Sequence, residues 1–291
     1  MLLIISFLQE KENDGSSKSA ESNAVLVLDE GQAKVAIGKG IGFKARPGEM
    51  LAQEAIERLF VLEPEGIKKL QTLLGQIDEK FFFATEDIIG HAEAVLGEKL
   101  NPHINIGLCD HIAFAAENIQ NHIFVRNKLL KEIEVLYPEE FSIAQWAVDY
   151  LKRELDIAYS FDEAGYIAIH IHTARCKNTD NSESIREITI ISEIVRLIER
   201  ELSLSLDGED YALTYSRLVN HLRLFIQRSQ TKGYVGLDQE IMGLVQEKYP
   251  ESYAISKKIQ VLMQQDFHYL VLNEELGYLA IHIERLRMIK K

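Results

Sequence analysis

Four histidines in this chain recur at a nearly fixed interval, and a neutral imidazole is a nucleophile near physiological pH. His170 sits in Glu163-Ala164-Gly165-Tyr166-Ile167-Ala168-Ile169-His170-Ile171. His282 sits 112 residues later in Glu275-Leu276-Gly277-Tyr278-Leu279-Ala280-Ile281-His282-Ile283. Tyr137-Pro138-Glu139 returns as Tyr249-Pro250-Glu251 at the same offset, and His111 returns as His221 at an offset of 110. Three anchors in one order describe a duplicated module of about 110 residues with two histidines each. A metal site would want a third ligand close by. His170-x-His172 offers one in the first copy only, because position 284 is Glu. A Ser-His-Asp arrangement lacks any nucleophile motif. Phosphoryl acceptance on imidazole is the chemistry that remains. His91, His103, His122 and His268 fall outside the repeat and read as packing residues.

The repeated stretch must sit on a definite element for those side chains to cooperate. Tyr166-Ile-Ala-Ile-His-Ile alternates, so a strand is possible and would place Glu163 and His170 on opposite faces. On a helix, Glu163, Tyr166 and His170 fall at i, i+3 and i+7 and share a face, as do Glu275, Tyr278 and His282. Ser160-Phe161-Asp162-Glu163 reads as a capping box and Asn273-Glu274-Glu275 as an N-cap with an acidic first turn, which favours the helix.

The chain has 291 residues, room for two or three domains with cores of their own. A net charge of −13 argues against general affinity for nucleic acid and leaves space only for a local basic patch. Cys109 and Cys176 lack metal spacing and fit a reducing cytoplasm. Met1 to Leu8 is apolar but too short for a bilayer. It lacks a basic flank and a small-residue cleavage site, so neither a membrane span nor a signal peptide is expected.

Residues 10–22 are polar and aperiodic. Ala24 to Leu28 reads as a strand, Asp29-Glu30-Gly31 as a turn, and Lys34 to Ile37 as the returning strand. Gly38-Lys39-Gly40-Ile41-Gly42-Phe43-Lys44-Ala45-Arg46-Pro47-Gly48 follows, and between Gly31 and Gly48 there are four basic residues and no acidic one. The stretch is neither a Rossmann fingerprint nor a P-loop, having no helix start and no Gly-Lys-Ser/Thr. Two readings stay open. One is a hairpin whose glycines admit a polyanion, with Lys34, Lys39, Lys44 and Arg46 near phosphates and Phe43 stacking on a base. The other is a tight turn with solvated lysines. From Gly66 onward the periodicity predicts helices at Gly66–Leu74, Thr85–Leu96, Gly107–Ile119, Ile143–Leu155 and up to Thr173. After a polar linker at Arg175–Ser184 it predicts Ile188–Leu202, a His221 helix, Ile255–Gln265 and a last helix to Met288.

Asn23-Ala-Val, Gly38-Lys-Gly-Ile-Gly-Phe43 and two helical modules with paired histidines together resemble the BglG/SacY-type transcriptional antiterminators. Ala168-Ile-His-Ile-His172-Thr-Ala is most similar to the branch controlling glucose phosphotransferase genes. The resemblance implies a multidomain α+β chain: a small antiparallel β domain that binds RNA (18–62), then two homologous all-α bundles, the phosphotransferase-system regulation domains (66–174 and 184–291). Residues 1–17 would be an extra segment. It implies RNA contacts at Lys18, Asn23, Gly38, Lys39 and Phe43, and phosphorylation at His111, His170, His221 and His282. Asp110 would support His111, with Asn220 in its place in the second copy. The first strand of the family matches only Lys18 and Asn23 here. The implied partners are a leader-mRNA hairpin, the phosphocarrier protein and a sugar-specific enzyme II of the phosphotransferase system, and a second copy of the chain. No enzymatic activity, cofactor, metal or membrane is implied. The alternative is a phosphorylation-sensing regulator that binds proteins, its RNA domain degenerate. Arg217, Arg223, Arg285 and Arg287 near the second pair, against Arg175 and Arg126 near the first, lead to the expectation that phosphate loosens a dimer at the first module and is tolerated at the second.

Overall fold

The computed structural model describes residues 2–7, 24–29, 32–38, 40–41, 46–56, 58–61, 77–176, 182–231 and 238–289. Lys18, Asn23, Lys39, Phe43, Lys44 and the expected Gly66–Leu74 helix lie outside them. The sheet has four antiparallel strands in chain order: β1 (Leu3–Phe7), β2 (Ala24–Asp29), β3 (Gln32–Ile37) and β4 (Arg58–Val61). Alternation puts Val25 and Val27 on the face that also receives Leu2, Ile4, Ala36 and Ile41, with Leu51, Ala55 and Ile56 packed at its edge. The hairpin of β2 and β3 is the one the sequence predicts.

β1 corrects the expectation for the N-terminus. Leu3–Phe7 was expected in an extra segment, yet Leu3 pairs with Leu28 and Ile4 with Val27; the strand expected at Lys18–Asn23 lies outside the described residues. On its other side Ile4 N–H donates to Glu49 O and Leu51 N–H to Leu2 O, so backbone covers both edges of this apolar strand. Hydrophobicity accounts for the strand: Leu2 and Ile4 bury their side chains against Val25 and Val27. Lys34 Nζ pairs with Asp29 Oδ2 across the hairpin at 2.9 Å, so the sheet itself claims one of the four basic residues expected near phosphates.

The helical part begins with α1 (Glu79–Leu96), α2 (Ile104–Gln120), α3 (Leu130–Leu136), α4 (Pro138–Leu155) and α5 (Phe161–Arg175). It continues with α6 (Ser182–Leu202), α7 (Ala212–Thr231), α8 (Gln239–Lys248), α9 (Pro250–Gln265) and α10 (Asn273–Ile289). The duplication is visible in the backbone. Tyr137 and Tyr249, each ahead of a helix-opening proline, have φ/ψ of −130°/57° and −128°/53°. Asp156 and His268, again 112 apart, both adopt left-handed φ, 55° and 62°. His268 is therefore a turn residue, as is His122 at φ 57°. His91 stacks on Trp146 with ring centroids 3.6 Å apart.

Packing does not follow the repeat boundaries. The first compact unit holds Met1–Arg126 and Glu139–Asp180; the second holds Asn127–Pro138 and Asn181–Lys291. So α3, numbered within the first module, belongs to the core of the second unit. Ile133 is fully buried, Lys131 Nζ donates to Leu206 O at 2.6 Å, and the same ammonium lies 4.1 Å from the Tyr215 ring centroid. The counterpart α8 packs on its own module's α9 and α10. Among the described residues no helix is long and apolar enough to cross a membrane.

Candidate functional site

In both units the repeated histidines meet. α2 carries His111 and α5 carries Glu163, Tyr166 and His170 on the face turned toward it. The ring centroid of His111 is 5.5 Å from that of His170 and 5.4 Å from that of Tyr166. α7 and α10 repeat the arrangement, with His221 4.5 Å from His282 at an interplanar angle of 28°, and 6.0 Å from Tyr278. The helical reading of the motif is the one that folds; a strand would have parted Glu163 from His170.

The carboxylate before each pair is used differently. Glu163 Oε2 lies 2.9 Å from His111 Nε2, an ion-pair distance whose angle falls short of a hydrogen bond. The expected capping box at Ser160 does not form through side chains: Glu163 reaches Ser160 only through its backbone N–H, because its carboxylate goes to the histidine. Its counterpart Glu275 turns instead to Arg228, which donates Nε and Nη2 at 2.9 and 2.8 Å in a two-pronged pair. The first pair thus stands beside an acidic group and the second stands clear of one.

Burial pushes His170 down to about 3, with the His111 charge adding to it. Burial also takes His221 down to about 3, helped by His282 and Arg228. His282 is lowered by burial and then by Arg285 and Arg217. These three rings are neutral at pH 7 and keep a nucleophilic lone pair. His221 Nε2 and His282 Nδ1 are covered and make no hydrogen bond among the described residues. All four histidines are half-buried as residues. Asp110 is exposed next to His111, while Asn220 bonds back to its own helix through Ser216 O.

The arginines sort into two groups. Arg285 and Arg217 stand close enough to His282 for their charges to lower it. Arg287 does not, because Glu284 holds its Nε at 2.9 Å and Glu251 takes Nη1; Arg223 lies over the Tyr137 ring. Arg175 is held by Glu98, Glu139 and Glu140 in the first unit. Arg175 and Arg287 are repeat equivalents performing one job.

Gly107 is a residue that sequence reasoning passed over. It lies one turn before His111, and a Cβ there would meet His170 Cε1 and Nδ1 at 3.4 Å. Its counterpart in the second unit is Arg217. Gly107→Ala should raise stability by about 0.5–1 kcal/mol through helix propensity, since the added methyl reaches only van der Waals contact. Gly107→Leu should lower it by forcing the His170 ring aside; denaturant unfolding of both variants checks the pair.

In the RNA-domain candidate region, Gly38 is buried and its carbonyl accepts from Ile41 N–H at 3.0 Å, closing a turn with Gly40 at φ 65°. No Cβ contact would arise within 4 Å of Gly40, so the glycine serves the turn's conformation.

Two family models match: the CAT RNA binding domain at residues 17–69 and the PRD domain twice, at 86–174 and 192–286. The transcription antiterminator LicT of Bacillus subtilis (strain 168) is 33% identical over 93% of this chain and 98% of its own. The beta-glucoside operon antiterminator of Dickeya chrysanthemi is 34% identical over 93% of this chain and 96% of its own. The GlcA/glcB genes antiterminator of Staphylococcus carnosus (strain TM300) is 31% identical over 91% and 93%. The crystal structure of GlcT CAT-PRDI aligns with a TM-score of 0.51 at 30% identity, covering 60% of this chain and 97% of that one.

Proposed function

The chain belongs to the family that joins a CAT RNA binding domain to two PRD domains, and on that premise we infer that it is a transcriptional antiterminator and not an enzyme. Its four-stranded sheet binds a hairpin in leader mRNA and keeps a terminator from forming. Phosphate on the histidines, delivered by the sugar phosphotransferase system in the cytoplasm, sets whether it does so. The observation that carries this reading is the paired histidine site, built twice with ring centroids 5.5 and 4.5 Å apart. The donors are the phosphocarrier protein and a sugar-specific enzyme II, and the active form is a homodimer. The RNA contacts are assigned to Lys18, Asn23, Gly38, Lys39 and Phe43. A sheet whose first strand is in place favours RNA binding over the alternative of a sensor with a degenerate domain.

The surroundings give the two sites opposite signs. A phosphoryl group carrying close to two charges at His111, roughly 5 Å from the Glu163 carboxylate, is repelled by about 2 kcal/mol even in water-like dielectric. At His282 the same group meets Arg217 and Arg285, while Arg228 neutralises Glu275. Phosphate therefore loosens the dimer from the first module and is accommodated in the second. Gly107→Ala should slow acceptance at His170 by narrowing the space beside its ring, with mass-spectrometric mapping of phosphohistidine as the readout.

The test of antitermination is binding of the full chain to a leader-RNA hairpin across a salt series. Affinity should fall with salt by about 0.7–0.9 log units per phosphate contact for each tenfold rise. Lys39→Ala should remove about one contact from that slope. Phe43→Ala should cost roughly 1–3 kcal/mol and leave the slope alone. Salt-independent or absent binding would favour the protein-binding sensor.

A further inference from the structure

At the C-terminal end of α5 a second constellation stands apart from the histidine pairs. Glu140 Oε1 is 3.1 Å from His172 Nδ1, and His172 Nε2 is 3.6 Å from Cys176 Sγ. The carboxylate orients the ring: with the Nδ1 proton given to Glu140, the Nε2 lone pair faces the thiol. Glu140 is held below the usual carboxylate range, its burial outweighed by hydrogen bonds from His172, its own backbone and Arg175. Carboxylate, imidazole and sulfur in line is the arrangement that activates a thiol, and Cys176 is exposed. Its position is accessible to small reagents, unlike Cys109, which is buried and whose thiol burial pushes up to about 12.

The second unit is an internal control for a purely structural role. Glu139 and Arg175 are matched there by Glu251 and Arg287, so the ion pair between the two helices is kept. The buried carboxylate comes from the opposite helix, as Glu284, with Ser252 Oγ donating to it at 2.7 Å. Cys176 corresponds to Met288. The helices are thus joined equally well without the imidazole and the thiol. Packing requires the carboxylate and the arginine, and leaves His172 and Cys176 to be explained by something else.

We propose that Cys176, activated by His172 and Glu140, is a modification site for hydroperoxides and small electrophiles. In the reaction with hydrogen peroxide the thiolate sulfur attacks one oxygen, an S–O bond forms and the O–O bond breaks. The departing hydroxide takes the proton from the His172 imidazolium and leaves as water. Sulfur loses two electrons to the peroxide and becomes a sulfenic acid. This step is independent of phosphorylation and of RNA binding.

The experiment follows alkylation of the full-length chain by iodoacetamide at pH 6, resolving Cys176 from Cys109 by peptide mass spectrometry. An ordinary thiol is only about 0.3% thiolate at that pH. Pairing with His172 should raise that fraction about eightyfold, and the weaker nucleophilicity of a stabilised thiolate should return about eightfold of it. Cys176 should therefore react about tenfold faster than N-acetylcysteine. His172→Gln, which can still donate to Glu140, should lose that advantage at unchanged circular dichroism, and equimolar peroxide with a sulfenic-acid probe should label Cys176 of the wild type alone. If wild-type Cys176 reacts no faster than N-acetylcysteine, or if His172→Gln leaves its rate unchanged, the proposal is overturned. The wild-type rate decides the matter even where the variant folds poorly.

Discussion

Arg228→Met should destabilise the second unit by about 3 kcal/mol. Glu275 is 2% exposed and its two oxygens are held by the two prongs of Arg228. Removing the arginine strands a buried carboxylate, and breaking one side of such a pair costs about 3–5 kcal/mol. The lower end applies because the Arg228 side chain is 25% exposed and solvent screens part of the charge. A loss of that size lowers the melting temperature of a unit this large by roughly 10–20 °C. Adding Glu275→Gln should restore about half, because the group left behind is then neutral. Calorimetry of the full-length chain at pH 7 measures both effects, and a melting temperature of Arg228→Met within 2 °C of wild type would rule out this account of the pair.

Acidification from pH 7 to pH 5 should destabilise the helical units through the histidine pairs. His170 and His221 titrate at about 3 when folded, against an ordinary value of 6.5. Between those values the unfolded chain binds more protons than the folded one, so stability rises with pH and is lost as pH falls from 6.5 toward 3. At full shift each ring forfeits about 2 kcal/mol between pH 7 and 5. His282 contributes in the same direction. Glu132 opposes it: burial raises its carboxyl, so its protonated form is favoured in the fold and acid stabilises it. Its protonation therefore offsets part of the decline as pH falls toward the carboxylate range. Urea unfolding at pH 7, 6 and 5 should show the decline, and the double variant His170→Gln, His221→Gln should flatten it. A wild-type curve that is level between pH 7 and 5 would mean that the rings take up protons in the fold as readily as in the unfolded chain, and would overturn this account. The same depression keeps these imidazoles nucleophilic at pH 7.

How much of this was legible follows from the range of each interaction. Helix periodicity, the doubled motif and the β2–β3 hairpin are written within a few residues, so the all-helical modules and their paired histidines could be read directly. Glu163, Tyr166 and His170 share a face because a helix turns every 3.6 residues. That fixed which side chains stand together, and the duplication showed that both copies do so. Family-specific residues such as Lys39 and Phe43 were recognisable as a motif, while their environment was not.

Pairing between distant residues was decided by the tertiary structure. β1 could not be read from 1–17, because its partner Ala24–Asp29 lies beyond a long polar stretch and strand pairing leaves no local periodic mark. The repeat assigned α3 to the first module by descent, whereas the burial of Ile133 and Leu136 assigned it to the second by packing. The charge asymmetry of the sites is also tertiary. Glu163 and Glu275 occupy equivalent positions in nearly the same motif, yet one faces His111 and the other Arg228, because the deciding side chain comes from a helix some fifty residues away. A sequence states which groups are present and their local spacing. Which charge neutralises which depends on distances that only the packed helices set, and electrostatic energy follows those distances.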